Sequence, residues 1–431
     1  MHLSWISIIR LGLVQASLGA IVVLTTSTLN RLMVVEFALP ATLPGILVGL
    51  HYGVQLSRPR WGFISDLEGQ RTKWILRGVG VLGIGALMAA GGVLLFVTSF
   101  WIGLFVSLVA YTLIGIGVGA GGTSMLALLA TATAPRRRAA AATITWLMMI
   151  FGIAMTAVIA GAALDPYSPQ RLMMVVAAVV LATWIISTAA VWRIEHGLAP
   201  TEPEPDAPGF WEGLVEVWSD ARARRFTVFV FLSMTAYFMQ ELILEPYAGL
   251  VFAFTPGEST SLSGAQNGGV FVGMALVGIA ATGLKLGSLR GWVVAGCIGS
   301  AAALGAIAAL GPLGTGAPLI PAVVALGFFN GMFAVAAIGS MMALAGQGRE
   351  RREGTRMGLW GAAQAIAAGA GGLLGAASAD ILRVSLGADA PAFGVVFLFE
   401  AAIFLAAALM AMRVIENSQA TGVSAAAIPG E

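Results

Sequence analysis

Along this 431-residue chain, stretches of mostly apolar residues recur with short polar breaks between them. Each is long enough for a membrane-crossing helix, which needs about 20 such residues. Twelve helices are predicted, near residues 8–30, 40–57, 75–97, 100–126, 140–163, 172–192, 226–250, 264–284, 291–311, 318–345, 358–379 and 392–412. The runs are continuous; strands of a membrane barrel would alternate apolar and polar positions over about 10 residues. The first run is too long for a signal peptide and lacks a small-residue cleavage site, so it is expected to stay as helix 1. The expected fold class is all-α and polytopic, with twelve transmembrane helices in a lipid bilayer.

The polar breaks carry the basic residues unevenly. If both termini are cytoplasmic, twenty of the 23 Lys and Arg residues fall on that side, and only Arg31, Arg171 and Arg383 fall on the other. A missed helix would scramble that alternation. Composition agrees: 58% of residues are hydrophobic and 10% charged, against roughly 45–50% and 25% in soluble domains. The 56 glycines lie largely within the apolar runs and suit close helix packing. A net charge of +2 gives no reason to expect nucleic-acid binding. Cys297 stands alone, so it can form no internal disulfide and, by itself, no metal site.

The longest polar stretch, 193–225, divides the chain. TEPEPDAPG reads as a flexible linker, and FWEGLVEVWSDARARRF, with Trp211, Leu214, Val215 and Trp218 at helical spacing, as an amphipathic surface helix. The expected domains are a six-helix bundle over 1–192, this cytoplasmic linker, a second six-helix bundle over 226–415 and a tail over 416–431. The halves echo each other. Arg138 precedes Trp146 by eight residues, and Arg352 precedes Trp360 by the same interval; each pair opens a Gly/Ala-rich helix ending at an acid, Asp165 or Asp380. Parallel six-helix repeats resemble the major facilitator architecture. GFISDLEGQRTK, residues 62–73, resembles that superfamily's loop motif at Gly62, Asp66, Gly69 and Arg71, with Lys73 extending the basic end. Leu67 and Gln70 depart from it.

QELILEPYAGL, residues 240–250, raises a chemical question, because Glu241 and Glu245 end an apolar run. A charge at the bilayer centre costs about 2.5–3.5 kcal/mol on insertion scales, so the pair should face protein or a water-filled cavity. Four residues apart, the acids would share one helix face, with about 6 Å of rise between them. Proton coupling, pairing with a buried arginine, and contact with a ligand are all open uses. Arg31 and Glu36 near the outer end of helix 1 are within geometric reach, so an Arg31–Glu245 or Arg31–Glu241 pair is one expectation. Pro246 is expected to kink or end the helix just after the acids. Gln240, Gln364 and Glu400 are further intramembrane polar groups expected to face protein, and Gln15 and Asn330 are expected either to bond across helices or to line a central cavity.

The same stretch is similar to the Q-[DE]-x-L-L-E-P-[FY]-[GA]-G segment of the PucC-like family, light-harvesting assembly proteins of photosynthetic bacteria. NRLMVVEFALPATLPGILVGLHYGVQLSRPRWGFISD, residues 30–66, and RRRAAAATITWLMMIFG, residues 136–152, resemble that family too. The family includes a branch encoded among bacteriochlorophyll biosynthesis genes and historically labelled a synthase subunit, and the chain is expected to fall in that branch. The resemblance implies a non-enzymatic chlorophyll transporter or assembly factor of the intracytoplasmic photosynthetic inner membrane. It would bind bacteriochlorophyll and deliver it to light-harvesting antenna polypeptides; bacteriochlorophyll synthase and the protein insertion machinery are further partners. No nucleotide loop, nucleophile–base pair or metal-ligand cluster is apparent, and no Asp-rich magnesium-binding segment for polyprenyl transfer. On this reading His51, in LHYG, is the candidate axial ligand to the pigment's magnesium, because His2 and His196 lie outside the helices. Two alternatives stay open: a proton-coupled small-solute transporter, and a scaffold for a bacteriochlorophyll biosynthetic enzyme.

Overall fold

The computed structural model describes residues 3–58, 61, 71–134, 137–196, 218–284, 286–346 and 353–415. All the long elements are helical: α1 (Trp5–Glu36), α2 (Thr42–Gln55), α3 (Arg71–Leu95), α4 (Phe100–Ala132), α5 (Arg138–Leu164), α6 (Pro169–Val191), α7 (Ala221–Phe252), α8 (Pro256–Ala281), α9 (Leu289–Leu313), α10 (Leu319–Gly346), α11 (Glu353–Leu386) and α12 (Asp389–Val414). Among the described residues, eleven of these helices are long and apolar enough to cross a membrane. The exception is α2, whose 14 residues fall short of the expected span. Most of the expected linker (197–217) and the tail from 416 lie outside the described residues, as does the expected surface helix apart from Trp218 onwards.

Two cores form. One gathers buried side chains from α1 to α6, including Leu11, Leu82, Tyr111 and Ile114, and takes in Leu242 from α7. The other gathers α7 to α12, including Phe229, Tyr247, Leu304, Phe333 and Phe404. Large apolar side chains such as Trp101, Phe105, Leu181, Ile279 and Leu398 point outwards and are exposed. That inversion suits lipid, where association rests on close packing rather than on water exclusion.

The basic residues collect at one end of the bundle. Arg10 Nε donates to the Ala190 carbonyl at the end of α6 (2.8 Å), and Arg71 Nη1 to Ala127 near the end of α4 (3.0 Å). The Leu3 N–H reaches the Ala132 carbonyl (2.8 Å), and Arg290 Nη1 reaches Met412 at the end of α12 (3.5 Å). The halves meet along two seams, α5 against α8 and α2 against α11. Small residues allow the approach: a methyl on Gly264 of α8 would stand 3.0 Å from the Ala154 carbonyl oxygen of α5.

Candidate functional site

The acids of α7 sit at a break in their helix. Regular α-helix runs to Met239, gives way to a 3₁₀ turn over Gln240–Leu242, and resumes at Leu244. The break therefore precedes Pro246 and does not follow it. Pro246 lies in the first turn of the resumed helix, where a missing N–H is tolerated. Its ring nitrogen cannot donate to the carbonyl four residues back, that of Leu242. This carbonyl takes a hydrogen bond from Asn30 Nδ2 of α1 instead, at 2.8 Å. Because a tighter turn separates them, Glu241 and Glu245 do not share one continuous α-helical face.

Helix α1 is irregular opposite this break. Wide π turns occupy Leu24–Thr28 and Leu32–Glu36, a distortion frequent at functional positions. They present a polar ladder to the other half: Ser27 Oγ lies 3.0 Å from Ser263 Oγ, and Thr28 Oγ1 lies 3.1 Å from Thr260 Oγ1. All four side chains are buried.

From this ladder a line of ionisable groups leads outward. Glu241 is half-buried, near Thr26, Tyr52 and Tyr237. Glu245, only 2% exposed, faces Ser27 and Ser263 within the field of Arg31, yet neither carboxyl oxygen makes a hydrogen bond of normal geometry. Arg31 Nη1 pairs with Glu36 Oε1 at 2.5 Å, and its Nη2 donates to the Phe254 carbonyl at 2.6 Å. The direct ion pair of Arg31 is therefore with Glu36, next to the surface, rather than with Glu241 or Glu245. Gly249, one turn beyond Glu245, lets the guanidinium lie against α7: a methyl there would stand 3.3 Å from both Nε and Nη2. Tyr167, between α5 and α6, joins this outer end; burial and then the Glu36 charge push its hydroxyl up, and Arg31 opposes them. Gln240 is buried, with Oε1 unpartnered.

Two acids clasp the seams at the same end. Asp380 of α11 accepts from the N–H groups of Ala41 (2.9 Å) and Thr42 (2.7 Å) and from Thr42 Oγ1 (2.6 Å), at the start of α2. Asp165, following α5, accepts from Thr255 Oγ1 (2.7 Å) and the Gly257 N–H (3.2 Å), at the start of α8. Each half thus places a carboxylate on the positive end of a helix in the other half. Towards the basic end the interface loosens, and Gln15, Glu241, Asn267 and Gln364 are partly accessible.

His51 is 2% exposed. Its Nε2 lies 2.8 Å from Gln55 Nε2, Gln55 in turn accepts from Arg58, and Nδ1 is buried without a partner. Neither ring nitrogen faces open space, so the expected role as axial ligand to a pigment magnesium does not fit this arrangement. Gly53 beside it does open outwards.

The remaining expected residues serve other ends. Gly62, Asp66 and Gly69 of the loop motif lie outside the described residues, and Lys73 is exposed. Arg71 is buried; besides Ala127 it donates to Thr131 Oγ1, and Glu195 caps the N–H groups of Arg71 (3.0 Å) and Thr72 (3.2 Å). Gln15 Nε2 contacts Met149 Sδ at 3.2 Å, and Asn330 accepts from Ser300 Oγ at 2.7 Å. Glu400 is fully buried with both oxygens unpartnered. Among the described residues, no group of three or more His, Cys, Asp or Glu is placed to hold a metal ion.

Comparison with known proteins agrees over most of the chain. The family model described as "PUCC protein" matches residues 28–419. A Rhodobacter capsulatus protein named "Bacteriochlorophyll synthase 44.5 kDa chain" is 64% identical over 415 residues, which cover 96% of each chain. "Protein PucC" of Rhodovulum sulfidophilum is 28% identical over 397 residues, 88% of this chain and 86% of that one. Among solved structures, a bacterial homologue of the human drug peptide transporters superposes with a TM-score of 0.70 at 14% identity, covering 95% of this chain and 97% of that one. Peptide transporter POT bound to alafosfalin gives 0.66 at 15% identity, covering 95% of each. At such identities the structures speak for the fold alone. It is the two-half, twelve-helix major facilitator fold.

Proposed function

The chain belongs to the PUCC family, and from that premise we propose that it is a non-enzymatic assembly factor of the photosynthetic membrane. It holds bacteriochlorophyll and passes it to light-harvesting antenna polypeptides in the inner membrane, with both termini cytoplasmic. The observation that carries this reading is the pairing of a carrier fold with 64% identity to a protein named for bacteriochlorophyll synthesis. The synthase named there would then be a partner and not an activity of this chain. His51 is closed off, so no magnesium-ligating step is assigned to the bundle. A pigment with a long hydrocarbon tail partitions into lipid, and the outward apolar faces of the helices are its place of contact. The test is an absorption spectrum, with pigment extraction, of the protein purified in mild detergent from a photosynthetic host. A stoichiometric near-infrared band is expected, and deletion of the gene should lower antenna content without abolishing pigment synthesis. A folded, partner-bound but colourless protein would overturn the pigment-holding role.

A second reading rests on the line Glu241, Glu245, Arg31, Glu36. A buried carboxyl without hydrogen bonds, beside an arginine already paired elsewhere, is an arrangement able to take up and release a proton. A proton-coupled solute transporter would show substrate-dependent proton uptake in proteoliposomes, lost in Glu245→Gln.

A further inference from the structure

At the basic end, the beginnings of α7 and α9 and the last turn of α12 surround a cleft of about 530 Å³. Four guanidinium-bearing residues line it, Arg222, Arg225, Arg290 and Arg413, together with Met412 and Ile415. They come from three helices, and no carboxylate is among the described lining residues. Asp220, which precedes the lining residue Ala221, caps α7 by accepting at Oδ1 from the N–H groups of Arg222 (2.9 Å) and Ala223 (3.4 Å). Arg290 is drawn across to α12 by its contact with the Met412 carbonyl.

The bias of basic residues to one side of the membrane accounts for the end these arginines occupy, but not for their gathering at helix starts around one cleft. Arg225 stands in the second turn of α7, and Arg290 in the first turn of α9. A helix start carries a partial positive charge, so cations there are disfavoured by the helix as well as by one another. An external anion relieves both terms at once. Guanidinium groups match phosphate oxygens bidentately, and this favours a phosphate-bearing ligand over a carboxylate of no fixed geometry.

The surroundings indicate how that phosphate is carried. Below the cleft, Val228 and Phe231 continue from Arg225 down the exposed face of α7, three residues apart at each step. On the adjacent α12, Leu405 and Leu409 lead at four-residue steps to Arg413, and all are exposed. Trp218, exposed just before α7, stands at the same level, a usual position for an aromatic residue at a membrane interface. Charge above and two apolar stripes below match a headgroup with its acyl chains. A soluble phosphate has no use for the stripes.

We propose that the cleft between the basic ends of α7, α9 and α12 is a binding site for an anionic phospholipid. Its phosphate would sit among Arg225, Arg290 and Arg413, and its chains along the exposed faces of α7 and α12. A lipid bound there bridges the first and last helices of the second half and fixes the depth at which they sit.

The experiment uses the full-length protein in phosphatidylcholine nanodiscs doped with phosphatidylglycerol, with retained lipid read by native mass spectrometry. One tightly held phosphatidylglycerol per protein is expected. Each surface arginine contributes about fivefold in affinity for anionic lipid. Retention should therefore fall roughly 25-fold in Arg290→Gln/Arg413→Gln and about fivefold in Arg413→Gln alone, which keeps the test open if the double variant fails to fold. Arg77→Gln, an exposed cation at the same end outside the cleft, should retain lipid as the wild type does. Unchanged retention in both cleft variants, or equal retention of phosphatidylcholine, would overturn the site. Displacement by inorganic phosphate at modest excess would overturn the lipid assignment.

Discussion

Asn30 of α1 donates its side-chain amide to the Leu242 carbonyl of α7, 2.8 Å away across the meeting of the two halves. The carbonyl is available because Pro246, four residues on, has no N–H to offer it. One residue in the first half thus completes a helix that a proline breaks in the second, and both are buried. A removable donor and a replaceable proline make the relationship testable in both directions.

Asn30→Ala should leave the Leu242 carbonyl buried and unpaired, at a cost of about 1–3 kcal/mol. Pro246→Ala supplies a new N–H to the same carbonyl, so in that background Asn30→Ala should cost clearly less. Thermal melting of the four proteins in one detergent measures the coupling. Equal costs in the two backgrounds would mean that the proline and the asparagine act independently.

The clasps at Asp165 and Asp380 should hold the non-basic end shut. Bonds to a charged acceptor contribute about 1.5–3 kcal/mol each, so losing a clasp shifts any open–closed equilibrium substantially. Thr28→Cys, placed at a 1% exposed position in a Cys297→Ala background, reports the opening. Its labelling by a membrane-impermeant maleimide should rise at least tenfold in Asp165→Ala/Asp380→Ala, about 1.4 kcal/mol of shift. Labelling no faster than in the parent would show that the packed helices alone keep that end closed.

Much of this architecture was legible in the chain. Apolar run length located the helices, and the placement of basic residues located the charged end, because both follow from what lipid excludes. Asp165 and Asp380 stood out as matched helix ends, though nothing local said that each would cap a helix of the other half. The break in α7 was anticipated from Pro246 but assigned to the wrong side. A proline disturbs the turn before it, and the freed carbonyl lies four residues earlier. Asn30 passed as part of a motif, and Ser27, Thr28, Thr260 and Ser263 passed as ordinary helix residues. Their pairing depends on how two distant segments face each other. The same holds for Arg31: spacing pointed to Glu241 or Glu245 as its partner, and the fold pairs it with Glu36 of its own helix.

His51 offers a separate test of where pigment is held. Its ring is sealed by Gln55 and by packing, so His51→Ala should leave any co-purified near-infrared band in place while lowering the melting temperature. Loss of the band from a variant that is still folded would mean that the ring turns outward when pigment binds.

Arg31 is ion-paired with Glu36 and lies within the field of Glu245, and these two acids are unequally sheltered. The Arg31 side chain is 3% exposed and that of Glu36 is 37% exposed. Removing Glu36 as Glu36→Gln should therefore cost little, within the range of about 0–1 kcal/mol for solvent-screened pairs. Arg31→Gln also removes the positive charge whose field reaches buried Glu245, so it should cost clearly more than Glu36→Gln. If Glu245 is the group left stranded, Arg31→Gln/Glu245→Gln should recover most of the lost stability, whereas Arg31→Gln/Glu36→Gln should not. Melting temperatures and detergent-extracted yield of the four variants, beside the wild type, decide it. Recovery by the Glu36 change instead would place the essential charge balance at the surface pair and leave Glu245 without a charged partner.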